Sequence, residues 1–208
     1  MKNRYFTVVL LLMLLLCSSM SAQSLREMFV KMPTELLPLL KQNDRLDLMD
    51  LYDAKMSTPV TNRLDGKSRL KELTGDYLLL SLSASSSMQI KMLPTQNGDT
   101  LLCVVNTVLA EAADSRINFY GKDWQPVDGK LFDSPAIADF LLPSDSVNEV
   151  LEFADIYLVE LRLSPDDNTL VAEYTQPRYM SKEEKERIMP LLRKISYEWN
   201  GISFQRND

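Results

Sequence analysis

The chain has 208 residues, 29 acids against 23 bases, a formal net charge of −6 and no histidine. The lack of histidine excludes Ser-His-Asp and Cys-His nucleophilic catalysis in their usual forms, along with His-bearing zinc sites such as H-E-x-x-H. Two cysteines, Cys17 and Cys103, and six glycines with no Gly-x-Gly-x-x-Gly or Walker loop leave little room for thiolate zinc sites, Cys-x-x-Cys redox chemistry or nucleotide binding by those routes.

The N-terminus begins with Lys2 and Arg4, runs through an apolar stretch at 5–16 broken only by Thr7, and ends in Ser18, Ser19, Ser21 and Ala22. This order of cations, apolar run and small residues predicts a secretory signal peptide over 1–22, cut after Ser21 or Ala22. The run has about 12 residues, where a spanning helix needs about 20. Lipid attachment at Cys17 is the competing route, but Leu16 is large for the residue before a lipidated cysteine. Cleavage removes two bases and no acid, taking the net charge to about −8 and leaving Cys103 as the only thiol. An acidic surface with no prominent basic cluster argues against nucleic-acid partners. No later stretch is long enough to cross a membrane.

The mature chain opens with helical signals. Ser24-Leu25-Arg26-Glu27 fits a capping box. Leu36, Leu37, Leu39 and Leu40 predict a second short helix after Pro33. Asp44 is placed as the cap of a third, with Leu46, Leu48, Met49, Leu51 and Tyr52 at helical spacings. From Thr58 the period falls to two. Val60 and the segments 70–73, 77–82, 88–93, 101–109 and 117–120 predict successive strands joined by short polar turns, hence an antiparallel meander. Met88, Ile90 and Met92 alternate with Gln89 and Lys91, which predicts one buried face and one wet face. Residues 121–133 form a loop or edge segment around Trp124.

The pattern then restarts. Helices are predicted over 136–142 and 146–153, a hairpin over 157–163 and 170–175 turning at Pro165-Asp166-Asp167-Asn168, and a capped helix from Ser181 to about Lys194. A last hairpin over 195–206 turns at Asn200-Gly201. The fold class is α+β, with helices packed on a mainly antiparallel sheet and two similar helix-then-sheet halves. The organisation is 1–22 signal, 23–133 helices plus meander, and 134–208 a second α+β part sharing the core of the first.

Several weaker chemical signals have ordinary readings. Ser68-Arg69-Leu70-Lys71 matches S-x-x-K, but its companion motifs S-D-N and K-T-G are missing and it lies at the entry to a strand. Asp44, Asp47, Asp50 and Asp53 recur every third residue, and that interval spreads them around a helix instead of converging them on a cation. Arg45 and Lys55 are placed to neutralise that row. A pair of carboxylates for glycosidase chemistry cannot be picked out from 29 acids. Phe119, Tyr120 and Trp124, and later Tyr174, Tyr179, Tyr197 and Trp199, are aromatics suited to interfaces and sugar faces or to core packing.

Leu25-Arg26-Glu27-Met28-Phe29, Leu36-Leu37-Pro38-Leu39-Leu40, Asn43-Asp44-Arg45-Leu46-Asp47-Leu48, Val60-Thr61-Asn62-Arg63, Asp114-Ser115-Arg116 and Asp123-Trp124-Gln125-Pro126 occur in that order. Together they resemble a family of secreted proteins of unknown function from Bacteroidales, domain-of-unknown-function family 3256. The resemblance continues through Leu163-Ser164-Pro165 to Trp199. It implies a periplasmic, surface or secreted location and carries over no activity or catalytic residue. In that setting Asp99-Thr100-Leu101 and Asp145-Ser146-Val147 are similar to the O-glycosylation sequon of Bacteroidetes.

The function these observations favour is a non-catalytic binding or interaction module of the cell envelope, with an envelope protein or glycan as partner. Tyr120, Asp123 and Trp124 are the candidate ligand contacts; no catalytic residue, metal or cofactor is assigned. Two alternatives stay open: a carboxylate-dependent hydrolase of glycans or peptidoglycan, and a structural accessory subunit of an envelope complex.

Overall fold

The computed structural model describes residues 24–143 and 156–207. The signal segment at 1–22 and the helix expected at 146–153 lie outside them. Helix α1 (Leu25–Lys31) starts at Ser24, whose hydroxyl accepts the Glu27 backbone N–H. Helix α2 (Gln42–Asp53) starts at Lys41, not at Asp44. Asp44 sits in the first turn and returns its carboxylate to the Lys41 N–H at 2.7 Å. The expected helix over 36–40 is a run of turns. Pro33 and Pro38 withhold two backbone donors there, and the 2 % exposed Arg45 takes up two carbonyls, Met32 O at 2.7 Å and Leu40 O at 3.4 Å. Arg45 therefore closes the helix layer from inside instead of neutralising the acidic row.

Strands β1 (Val60–Thr61), β2 (Lys67–Leu73), β3 (Tyr77–Ser83), β4 (Ser86–Pro94), β5 (Thr100–Val108) and β6 (Asp114–Tyr120) form one antiparallel sheet in chain order. A second antiparallel sheet holds β7 (Val159–Leu163), β8 (Thr169–Tyr174), β9 (Ile195–Trp199) and β10 (Phe204–Asn207), also in chain order. Short turns join every neighbouring pair except β8 and β9, and such turns require antiparallel pairing. Helix α3 (Lys182–Ile188) lies between β8 and β9.

The layers are helices, first sheet, second sheet. One face of the first sheet carries Leu70, Leu78, Leu80, Met88, Ile90, Leu102 and Val104 against α1, α2 and the 32–40 turns. The opposite face carries Tyr77, Leu93, Cys103 and Val105 against Val159, Leu161, Leu170, Ala172, Ile195 and Tyr197 of the second sheet. The wet face expected at Gln89 and Lys91 is thus a buried one, with exposures of 7 % and 1 %. Both side chains clamp the second sheet. Gln89 accepts the Leu163 N–H and donates to Leu161 O, at 2.9 and 3.2 Å, while the Lys91 ammonium pairs with Asp76 and donates to Pro165 O.

The same clamp protects an edge. The outward N–H groups of β7 would offer a template for another strand. Those of Val159, Leu161 and Leu163 instead go to Asp114 Oδ1, Ser115 Oγ and Gln89 Oε1. The turns meet as well: Gln96 donates its backbone N–H to Gly201 O, and a Cβ on Gly201 (φ 92°) would lie 2.8 Å from Gln96 Cγ. Only glycine suits that position.

The described residues are mostly β with short helices, so the α share among them is smaller than the sequence pattern suggests. Two sheet halves are present, and α3 lies between β8 and β9 of the second, where the Ser181 capping box places a helix. Residues 137–140 make a single 3-10 turn (Ile137–Phe140). Leu141 then pairs strand-like with Leu192, and the Leu142 N–H bonds Leu191 O at 2.7 Å, which ends any helix. Helix α3 stops at Ile188 and tightens into a 3-10 turn where Pro190 lacks an N–H.

Candidate functional site

Beyond β6 the chain folds back on itself. Gly121 N–H bonds Gln125 O, Val127 N–H bonds Phe119 O, and Tyr120 pairs with Pro126. This turn holds Trp124 at φ 64°, a left-handed conformation costing roughly 1–2 kcal/mol for a side chain of that size. Burying an indole contributes about 4 kcal/mol, so burial wins. Trp124 is 5 % exposed, its ring lies 5.7 Å from that of Tyr120, and its indole N–H donates to Met28 O at 2.9 Å. Of the three candidate contacts, Trp124 is therefore a plug between the sheet and α1, with no face left for a ligand. Asp123 is exposed and its carboxylate accepts the Gln125 N–H. Tyr120 is half-buried and borders a cleft of about 280 Å³ with Asn118, Phe119, Val127 and Phe132, which contains no charged side chain.

A larger cleft, about 600 Å³, opens between the end of α2 and β2. Tyr52 joins its walls: the hydroxyl accepts the Leu73 N–H at 3.1 Å and donates to Leu73 O at 3.4 Å. Lys55 follows α2 in a left-handed conformation (φ 53°), and a bulge between Leu70 and Glu72 turns Lys71 outward beside Arg69. Asp53 lines the cleft but faces Arg26, which binds both its oxygens at 2.7–2.8 Å. The Arg26 hydrogen bond holds the Asp53 carboxyl below its usual range. The side chains of Lys55, Arg69 and Lys71 make no hydrogen bond or ion pair among the described residues. The sequence reads Lys55 as a neutraliser of the aspartate row and Lys71 as part of an S-x-x-K match, although Lys67, Arg69 and Lys71 at alternate positions of one strand in an acidic chain are a readable cationic signal.

A third cleft, about 260 Å³, holds two acids, Asp133 and Asp139. Arg206 binds Asp139 at 2.9 Å and holds its carboxyl low, and Lys130 pairs with Asp133 at 2.6 Å. On the outer face of the second sheet Glu160 and Glu173 are cross-strand partners ringed by Arg162, Arg178 and Lys194. Burial pushes the Glu173 carboxyl up, but Lys194 and Arg178 pull it down by more, so its net shift is downward. Asp99, Asp167 and Glu184 also move down, each through hydrogen bonds to its charged form.

The remaining sequence signals resolve into structure. Ser68 is fully buried, donates to Leu82 O and accepts from Asn62, whereas Lys71 is exposed, so the S-x-x-K match forms no dyad. No three His, Cys, Asp or Glu side chains converge on one point among the described residues. Cys103 is buried between the sheets, and burial raises its thiol well above the ordinary range. Among the described residues no helix is long and apolar enough to cross a membrane.

No curated protein matches the chain. Its fold is similar to the solved structure of a domain of an uncharacterized protein from Porphyromonas gingivalis W83. The TM-score is 0.76 and the sequence identity 26 %, covering 89 % of this chain and 100 % of that one. Residues 17–204 match the family described as "Protein of unknown function (DUF3256)". The chain belongs to that family.

Proposed function

We propose that this protein is an exported, non-catalytic binding module of the bacterial cell envelope, engaging an envelope protein or glycan. One observation carries the reading: the serine, the thiol and the cleft or sheet carboxylates best placed for nucleophilic or acid–base chemistry are engaged in structural bonds, while the concave surfaces beside them stay open. Ser68 is held by Asn62 and Leu82, Cys103 is sealed between sheets, and Asp53, Asp139 and Glu173 are each bound by cations. The carboxylate-hydrolase alternative needs an acid whose pKa is raised towards neutrality; Asp139, which shares a cleft with Asp133, moves the other way. Export rests on the charged, apolar and small-residue order of 1–22 and on the resemblance to secreted Bacteroidales proteins. A structural accessory subunit would differ from a monomeric binder by co-purifying with its partner under mild conditions.

The test combines location with binding. Fractionated cells are expected to hold the protein outside the cytoplasm with its N-terminus near residue 23; a cytoplasmic protein starting at Met1 overturns the export half. Retention by envelope fractions is expected to fall in Tyr120→Ala and Asp123→Ala if the 120–127 turn contributes to binding. Trp124→Ala does not serve here, because removing the plug disturbs α1. Retention that is absent in the parent protein overturns the binding half.

A further inference from the structure

Many cations of the described residues are matched to acids. Arg26 holds Asp53, Lys91 holds Asp76, Lys122 holds Asp99, Lys130 holds Asp133, and Arg206 holds Asp139. Arg162, Arg178 and Lys194 surround Glu160 and Glu173. Lys55, Arg69 and Lys71, by contrast, line one cleft together, and their side chains have no partner among the described residues. The single acid on its wall, Asp53, is already neutralised by Arg26. In a chain of net charge −6 this leaves a local excess of positive charge in a concavity of about 600 Å³. Like charges gathered in a cleft repel one another and focus a field that a ligand anion relieves.

The walls are also fixed in place. The Tyr52 hydroxyl ties the end of α2 to β2 through both backbone groups of Leu73. Lys55 is itself left-handed, just past the Ala54 cap of the helix, and Lys71 sits at the bulge in β2. Arg69 supplies a planar fork that pairs two oxygens of a carboxylate or phosphate at once, and the two lysines supply point charges. Tyr52 and the 54 % exposed Met56 add apolar surface beside them. A cleft of about 600 Å³ is far larger than one oxyanion and falls in the range of sites for compact organic ligands.

We propose that the α2–β2 cleft binds a compact ligand carrying two or more oxyanion groups, carboxylate or phosphate, through Lys55, Arg69 and Lys71. This rests on the binding-module reading only in taking the chain to bind and not to react. It goes beyond that reading by naming a second site, on a different element pair from the 120–127 turn, and the chemistry of its occupant.

The experiment is calorimetric titration of the purified protein with trigalacturonate and, separately, with tripolyphosphate, each in low and in 0.2 M salt, roughly the range over which ionic screening becomes strong. Binding of at least one probe is expected, weakening several-fold in the higher salt. The double substitution Arg69→Gln/Lys71→Gln is expected to weaken it at least tenfold. Lys31→Gln/Arg116→Gln removes the same charge from exposed positions elsewhere and is expected to change it less than twofold. Preference between the probes tells a sugar acid from a phosphate source. The Arg69/Lys71 variant is expected to melt no lower than the parent, because it relieves repulsion and breaks no bond, and this keeps loss of binding separate from loss of fold. Failure of both probes to bind, or an equal loss in the two double variants, overturns the proposal. If the Arg69/Lys71 variant meanwhile keeps full retention on envelope fractions, the module reading survives without this site.

Discussion

In the first sheet β4 and β5 bury four consecutive residues each, whereas in the second sheet β7, β8 and β9 bury every second residue. The first sheet is the middle layer, with helices on one face and the second sheet on the other; the second sheet has one packed face and one wet one. A tryptophan rivets each interface of the middle layer. Trp124 reaches from the first sheet to Met28 O in the helix layer, and Trp199 reaches from the second sheet to Pro94 O at 2.6 Å. The contrast teaches that a meander covered on both sides must still satisfy the neighbouring strand edge, and here buried polar side chains do it. The two sheets therefore differ in what holds them: apolar area and clamps around the first, alternation and a charged outer face on the second.

The largest effect is expected at the helix interface. Trp124→Ala removes a buried indole and a hydrogen bond, and truncations of this kind cost about 3–5 kcal/mol. Trp124→Phe keeps most of the volume and loses chiefly the bond to Met28 O, expected at about 1–2 kcal/mol. Urea unfolding measures both. A loss under about 1 kcal/mol for the alanine variant would mean that the helix layer is only loosely attached to the sheet.

The sheet–sheet interface comes next. Gln89→Ala leaves the Leu163 N–H, the Leu161 carbonyl and the Tyr77 hydroxyl without their buried partner. Unsatisfied buried groups cost about 1–3 kcal/mol each when water cannot reach them; with water entering the space left by the side chain, the lower end of that range applies to each of the three, about 3 kcal/mol in total. Gln89→Leu is expected to recover little of it, since packing returns but the backbone groups stay unpaired. If leucine restores the parent stability, the clamp is dispensable and area alone holds the two sheets.

How much of this was legible follows from where each signal is local. The strands, their turns and their antiparallel order are written in alternation and in Gly, Asn and Asp positions, and they appear as expected through β2 to β6 and in both late hairpins. The Ser181 capping box is present with both of its bonds. What failed was non-local. Gln89 and Lys91 look like a solvated face until a second sheet, some 70 residues on, supplies Leu161, Leu163 and Pro165 as partners. Arg45 looks like surface charge until the carbonyls of Met32 and Leu40 turn towards it. Trp124 looks like a binding aromatic because a polar loop surrounds it in sequence, while its ring points the other way into the core. The cationic cleft was missed for a similar reason, since Lys55 joins Arg69 and Lys71 only after α2 docks on β2.

The smallest effect is expected on the wet face of the second sheet, and there the sign with pH is the sharper measurement. Glu173 sits among Arg162, Arg178 and Lys194, and although burial pushes its carboxyl up, the cations hold it below its ordinary value of 4.5. A group whose folded pKa is depressed contributes stability that is fully present above the unfolded value and disappears as pH falls through the folded one. The parent is therefore expected to lose stability as the pH drops below about 4.5, and Glu173→Gln is expected to lose less over the same interval. At neutral pH the substitution should cost under about 1 kcal/mol, because Arg162 and Lys194 are roughly half exposed and water and salt screen the network. Adding salt should shrink the difference further. A loss as large as that of Gln89→Ala, unchanged by salt, would instead mean that this face is covered by a partner, and the contrast between a middle sheet and an outer one would no longer hold.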